Sequence, residues 1–206
     1  MKKILAVALV LVPALARADG SIGVRAGSLG LGVEAAYPIS GSLGVRLTGD
    51  TYRYSKKFTQ DNIDYDGDAT LRTASLLLDW FPLANNFRIS AGGVYNGNKL
   101  LLSTPTQTLT INGNTYTATL NGEVDFKKFA PYAGIGYGRP VGSGLSLTFD
   151  LGVMFQGTPT ATLNGTCTGA CGNFQNDLKA QEASLNDKIK DFRYYPVATL
   201  GLAYTF

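Results

Sequence analysis

The strongest constraint in the sequence is an alternation of side chains over residues 194–206. Every second residue there is bulky or apolar, whereas the residues between them are smaller or more polar on average. The bulky or apolar set is Tyr194, Pro196, Ala198, Leu200, Leu202, Tyr204 and Phe206. A period of two is typical of a β-strand with one face in an apolar medium and the other in a more polar one. The sequence therefore predicts a two-faced strand here.

Similar alternation recurs along the chain and predicts eight strands in all. Their approximate bounds are 20–27, 30–38, 43–54, 67–81, 86–101, 122–138, 144–157 and 192–206. The first pair has an alternative, because residues 20–38 also fit one long strand bent at its glycines. That alternative would leave an odd number of strands.

The connections between these strands fall into two classes. Three short segments contain a proline followed by small or turn-forming residues, at 37–41, 81–85 and 139–143. Three longer polar segments cover about 55–66, 103–121 and 158–191. Short turns at one end and long loops at the other are typical of outer-membrane barrels, whose short side is periplasmic. The pattern predicts an all-β, eight-stranded antiparallel up-and-down transmembrane β-barrel with long extracellular loops, one short loop helix and periplasmic termini.

The beginning of the sequence has the pattern of a secretory signal peptide. Met1-Lys2-Lys3 is followed by an apolar run over 4–15 and by the small-x-small sequence Ala16-Arg17-Ala18. We expect residues 1–18 to be cleaved, leaving 19–206 as the barrel. A retained membrane anchor is disfavoured because the run is shorter than the roughly 20 residues that a spanning helix needs.

Removing residues 1–18 changes the charge balance. They contain three of the 18 basic residues and no acidic residue, which leaves 15 basic against 15 acidic side chains. No nucleic-acid partner is therefore indicated. No later apolar run approaches 18 residues, so a helical membrane protein is excluded.

Aromatic residues beside the short turns favour lipid over water as the apolar medium. They are Tyr37, Trp80, Phe81, Phe87, Tyr137 and Tyr204, and they fit an interfacial girdle. A soluble two-sheet sandwich with polar outer faces has the same period of two and is the alternative.

The other face of each strand would then line the barrel interior. Its charged residues are Arg25, Glu34, Arg46, Asp50, Asp79, Arg88, Lys128, Asp150 and Arg193. Side chains can fill the space inside eight strands, and buried charges must pair. We therefore predict a polar, salt-bridged and largely closed interior. The alternative is a narrow conduit, for which space would come from inward glycines at 23, 32, 92, 134, 136 and 152.

Catalytic and metal-binding motifs are weak. The chain contains no histidine, which removes Ser-His and Asp-His hydrolytic arrangements. The acidic segment 61–68 loosely resembles a calcium loop, but the position of the bidentate acid falls on Thr73. The sequence therefore predicts a protein that is not an enzyme and has no cofactor or metal.

The longest loop contains two further features. Cys167 and Cys171 are expected to form a local disulfide, because an exported chain crosses an oxidising compartment. Residues 173–191 are predicted to form a helix capped by Asn173, with a stripe of Phe174, Leu178, Leu185, Ile189 and Phe192. The stripe is expected to pack over the barrel mouth; a lid or a contact surface for lipid or a partner is the alternative.

Four segments together resemble a proteobacterial family of small outer-membrane barrels, similar in plan to the OmpA, OmpX and OmpW barrels. They are residues 76–82, 87–93, 149–157 and 191–197. The terminal strand, with Tyr204 and Phe206, resembles the signal read by the barrel-assembly machinery. The resemblance implies the bacterial outer membrane, with its lipid and lipopolysaccharide as partners. It transfers no ligand residues and no oligomeric state.

Two function classes follow from this resemblance and from the predicted interior. The first is a structural or surface-interaction barrel whose long loops contact the cell exterior. The second is a narrow channel or transporter for small or hydrophobic solutes. Interior packing distinguishes them, because transport needs a continuous cavity.

Overall fold

The computed structural model describes residues 20–60, 63–83 and 85–206, with backbone alone for residues 58–60, 63 and 64. The predicted signal segment lies outside these residues. The described part of the chain contains twelve strands and one helix. They are β1 (Ser21–Gly27), β2 (Gly30–Pro38), β3 (Leu43–Gln60), β4 (Ile63–Trp80), β5 (Phe87–Asn96), β6 (Lys99–Ser103), β7 (Gln107–Ile111), β8 (Asn114–Asp125), β9 (Phe129–Tyr137), β10 (Gly144–Phe155), β11 (Thr160–Thr168), α1 (Phe174–Ile189) and β12 (Tyr194–Thr205).

Eight of the strands form a closed antiparallel ring, in the order β1-β2-β3-β4-β5-β9-β10-β12. Closure comes from pairing of the first strand with the last, from Ser21 opposite Thr205 to Gly27 opposite Thr199. No strand of the ring is left with an open edge. They correspond to the eight strands expected from the alternation, although the predicted strands 86–101 and 122–138 run past β5 and β9 into residues of β6 and β8. Residues 20–38 form two strands joined by a turn at Ser28 and Leu29, so the single bent strand is wrong.

The two ends of the ring differ. The connections at 39–42, 81–86 and 138–143 lie at the end where β1 begins and β12 finishes, which we call the short-turn end. The β3–β4 hairpin and the segments after β5 and β10 lie at the opposite, long-loop end.

The prediction of eight strands is wrong in number, because the chain also forms β6, β7, β8 and β11. β7, β11 and most of β8 lie in segments expected to be loops, whereas most of β6 and the end of β8 fall within the predicted strands 86–101 and 122–138. We call these four strands the extension. β6 pairs with the first part of β4, β8 pairs with β6 and β7, and β11 pairs with β8. β7, β8 and β11 are rich in threonine, which has a high β-propensity. The β7–β8 hairpin turns at Asn112-Gly113, both with positive φ, and Asn-Gly is a strong hairpin signal.

Helix α1 covers the free edge of the extension. The side chain of Asn186 donates to the Ala161 carbonyl and accepts from the Ala161 amide, both at 2.8 Å. Glu182 accepts a hydrogen bond from the Leu163 amide at 2.7 Å. Because an uncovered edge strand invites pairing with another chain, these bonds protect β11.

The helix is placed differently from the prediction. It packs against β11 and β7, and not over the ring mouth. Phe174 and Leu178 join an apolar cluster with Leu109, Ile111, Tyr116 and Ala118. Asn173 precedes the helix but its side chain makes no capping hydrogen bond, and Phe192, assigned to the same stripe, is exposed.

Asp177 ties the start of α1 to the β7–β8 hairpin. Its carboxylate accepts hydrogen bonds from Tyr116 at 2.6 Å, from Asn114 at 2.7 Å and from Asn112 at 3.1 Å. Donation from Tyr116, and then from the two asparagines, lowers the pKa of the Asp177 carboxyl.

We expect acid to release α1 from the hairpin. Because the folded-state pKa of Asp177 is lowered, its stabilisation is complete above about pH 4 and is lost as the pH falls through the folded value. Pepsin cleavage within α1 should therefore accelerate severalfold on acidification. The Asp177→Asn variant should be cleaved faster than the parent at every pH, without the acceleration on acidification. Asp187→Asn, which removes an exposed acid of the same helix, is the control. If cleavage of the parent and of Asp177→Asn depended on pH in the same way, Asp177 would not link α1 to the hairpin as described.

Candidate functional site

Arg46 lies at the centre of the ring interior and contacts three carboxylates. Its Nε is 2.8 Å from Asp79 Oδ2, and its Nη1 is 2.8 Å from Asp150 Oδ2 and 3.7 Å from Glu34 Oε2. Its Nη2 also donates to Ser90 Oγ at 3.2 Å. Only 1% of the Arg46 side chain is exposed, so these contacts replace the water that the guanidinium would otherwise need.

The strand order explains why one arginine can reach so many acids. Arg46 lies on β3 and Asp150 on β10, and these strands are four positions apart in either direction around the ring. The Arg46–Asp150 pair therefore crosses the full width of the interior. Asp79 is on the neighbouring β4, where it also accepts a hydrogen bond from Ser90 at 2.5 Å.

Two further arginines complete the set. Arg88 is 2.9 Å from Asp150 and donates to the Gly138 carbonyl. Arg25 is 3.0 Å from Asp50 and 3.8 Å from Glu34. The structure thus brings seven of the nine expected interior charges together as one buried charged cluster: Arg25, Glu34, Arg46, Asp50, Asp79, Arg88 and Asp150.

The prediction is wrong for Lys128 and Arg193, which are exposed. Lys128 precedes β9 and lies 3.9 Å from Asp125. Arg193 precedes β12 and donates to the Lys190 carbonyl at 3.0 Å. The predicted strands run beyond the ring at these two positions, where alternation no longer assigns a residue to the interior.

An apolar layer, which was not predicted from the sequence, also lies inside the ring. It comprises Leu29, Leu77, Val94, Ala130, Tyr132, Met154 and Val197. On each of β4, β5 and β10, the residue that belongs to this apolar layer lies nearer the long-loop end than the residue that belongs to the charged cluster. Alternation in the sequence does place Val94 on the same face of its strand as Arg88, and Met154 on the same face as Asp150. The two apolar residues could therefore have been assigned to the interior.

The interior is nearly filled. A cavity of about 10 Å³ lies between the charged cluster and the apolar layer, lined by Arg46 and Asp150 on one side and by Tyr132 and Met154 on the other. This is room for about one water molecule.

The inward glycines do not open a conduit, because neighbouring side chains occupy the space they leave. A Cβ at Gly136 would lie 2.7 Å from the Asp150 carboxylate and 2.9 Å from Arg88 Nε. At Gly134 it would lie 2.5 Å from the Tyr132 hydroxyl. Glycine at these positions lets large partners cross the interior.

The outer surface of the ring is apolar. Exposed aliphatic residues around its middle are Val24, Leu31, Val33, Leu47, Leu76, Leu78, Ile89, Ile135, Leu147, Leu151, Leu200 and Leu202. Exposed aromatic residues bound them at the short-turn end (Tyr37, Trp80, Tyr137, Tyr204) and at the long-loop end (Tyr95, Phe129, Phe155, Tyr194).

The predicted girdle needs one correction. Phe81 is buried at 3% exposure, with the guanidinium of Arg139 lying 5.3 Å from its ring centre. It packs inside the short-turn end because it continues the inward face of β4, on which Leu77 and Asp79 are also buried, whereas Trp80 lies on the outward face.

The height of the apolar band follows from β12. Tyr194 and Tyr204 lie ten positions apart on its outward face, or about 34 Å along the strand. A tilt of about 40°, usual for an eight-stranded ring, reduces this to about 26 Å along the ring axis.

The remaining sequence features lie outside the ring. Cys167, on β11, and Cys171, before α1, are joined in a disulfide. Residues 61 and 62 of the acidic segment are not among the described residues. Within the described ranges there is no metal-binding group of three or more acidic, cysteine or histidine side chains. The single helix described is not long and apolar enough to cross a membrane.

Comparison with solved structures identifies proteins of the same fold. Acinetobacter baumannii CarO2 is similar with a TM-score of 0.60 and 20% identity, covering 91% of this chain and 98% of that one. Acinetobacter baumannii CarO gives a TM-score of 0.59 and 19% identity, covering 90% and 97%. A major outer membrane protein from Thermus thermophilus gives a TM-score of only 0.45 at 18% identity, covering 91% of this chain and 99% of that one. No family model and no curated protein sequence matches the chain.

We expect loss of Arg46 to destabilise the ring strongly. Arg46→Ala would leave three buried carboxylates short of their shared partner, at a cost of about 3–5 kcal/mol. Arg193→Ala is the control and should cost less than about 1 kcal/mol, because Arg193 is exposed. Urea unfolding in detergent micelles, followed by the fluorescence of the single tryptophan, measures both. Equal midpoints for Arg46→Ala and the parent would indicate a hydrated interior.

Proposed function

We propose that the chain is an integral outer-membrane β-barrel that is closed by its own side chains and has a structural or surface-interaction role. The observation that carries the proposal is the polarity of the ring. Its charged cluster is buried inside, while leucines, valines and isoleucines are exposed outside. Water as the outer solvent would favour the reverse arrangement, and soluble proteins rarely expose so large an apolar surface.

The dimensions of the ring also support lipid as its outer solvent. An apolar band about 25 Å tall between two aromatic girdles is the pattern of outer-membrane barrels, and the band on this ring is about 26 Å by strand geometry. The sandwich alternative needs apolar faces turned toward each other, whereas these faces point outward. A closed ring further suits lipid because it leaves no backbone edge unpaired.

The filled interior favours the structural role over transport. Two successive barriers, the charged cluster and the apolar layer, close the ring, and the cavity between them has room for about one water molecule. No catalytic step or cofactor is part of the proposal.

The two ends suggest different surroundings. The short-turn end, with the ends of β1 and β12, is proposed to be periplasmic, and the extension to project from the cell. The extension, closed by α1, is then the surface available to external partners. Outer-membrane lipid and lipopolysaccharide would surround the ring, and the barrel-assembly machinery would insert it.

We expect the purified protein to be heat-modifiable. A ring held by hydrogen bonds that detergent does not reach should stay folded in cold dodecyl sulfate. Unboiled and boiled samples should therefore migrate differently on a gel. Identical migration, combined with solubility without detergent, would contradict the membrane barrel.

We also expect the parent protein to give no steady conductance in a planar lipid bilayer. Arg46→Ala combined with Met154→Ala removes one side chain from each barrier and should produce cation-selective steps, since Glu34, Asp79 and Asp150 would then lack a shared arginine. The Arg193→Ala variant is the control and should remain silent. Steady conductance by the parent would favour the narrow channel.

A further inference from the structure

Two arginines lie where the apolar outer surface stops. Along the outward face of β4, Trp80, Leu78, Leu76 and Ala74 are exposed in turn, and the next outward residue is Arg72. On β3 the corresponding position at the long-loop end is Arg53, which is also exposed. Both arginines therefore lie at the long-loop boundary of the band.

The strand register places the two arginines close together. Arg72 is opposite Thr51, and Arg53 is opposite Thr70 on the same face of the β3–β4 pair. Arg53 and Arg72 are thus diagonal neighbours, about 7 Å apart at their β-carbons. Both guanidinium groups can reach a single group held above the strand pair.

Neither arginine has an acidic partner among the described side chains. The neighbouring lysines on this face differ in that respect. Lys57 is 3.1 Å from Asp66, and Lys99 pairs with Glu123. Asp68, the other diagonal neighbour of Arg53 on this face, accepts a hydrogen bond from Ser55. The Arg53–Arg72 pair therefore leaves a net positive charge next to the apolar band.

We propose that Arg53 and Arg72 together bind a phosphate group of the outer-leaflet glycolipid, the lipid A part of lipopolysaccharide. Guanidinium groups match phosphate oxygens in geometry and charge. Long cationic side chains at the edge of a bilayer place their stems on the apolar surface and their heads at head-group height. This inference rests on the proposed membrane location.

The test is a lipid titration of the full-length protein in maltoside micelles, read by native mass spectrometry. Lipid A with both phosphates should bind tighter than its dephosphorylated form with the same acyl chains. Arg53→Gln and Arg72→Gln should each weaken binding of lipid A about fivefold, and the double variant about 25-fold. Lys57→Gln is the matched control, because it removes a charge from the same face beyond the boundary; it should bind like the parent.

Three results would overturn the inference. The first is equal binding of lipid A by the parent and the double variant. The second is displacement of lipid A by the same concentration of inorganic phosphate, which would indicate a site for free phosphate. The third is loss of heat-modifiability by the parent in these samples, because the membrane proposal would then fail too. Retained heat-modifiability with unchanged binding would reject the lipid site alone.

Discussion

The ring depends on the ion pair that Arg46 makes across it. A guanidinium on β3 reaches a carboxylate on the opposite strand β10 at 2.8 Å, so that the pair spans the width that eight strands enclose. Because both groups are removed from water, each relies on the other, and Asp79, Glu34 and Arg88 supply the remaining contacts. Outside the ring the polarity is reversed, with exposed leucines around this buried charged interior.

Much of this arrangement can be predicted from the sequence, because it follows from a period of two. Once one outward residue of a strand is known, every inward one follows, which is why Arg46, Arg88 and Asp150 are assigned to the interior in advance. The rule fails for Lys128 and Arg193 because alternation assigns a residue to the inward or outward face only within a strand of the ring.

The extension and the inner apolar layer lie beyond such reasoning for other reasons. In strands such as β7 and β8, threonine alternates with apolar residues. A threonine-rich segment resembles a loop in its composition, although threonine favours an extended backbone. The edge protection by Asn186 joins side-chain atoms to backbone atoms 25 residues away, which no local pattern encodes. The apolar layer needs three-dimensional proximity, since Leu29 comes from a turn and Met154 from β10.

Closure by β1 and β12 has a consequence for how the molecule is made. Ser21 and Thr205 are partners although nearly the whole described chain lies between them, so the last ladder forms only after the final strand has been synthesised and delivered. Any earlier species has two open edges, and unpaired backbone groups are costly in hydrocarbon. In the proposed membrane location, closure is therefore expected to accompany insertion, with few partly inserted chains.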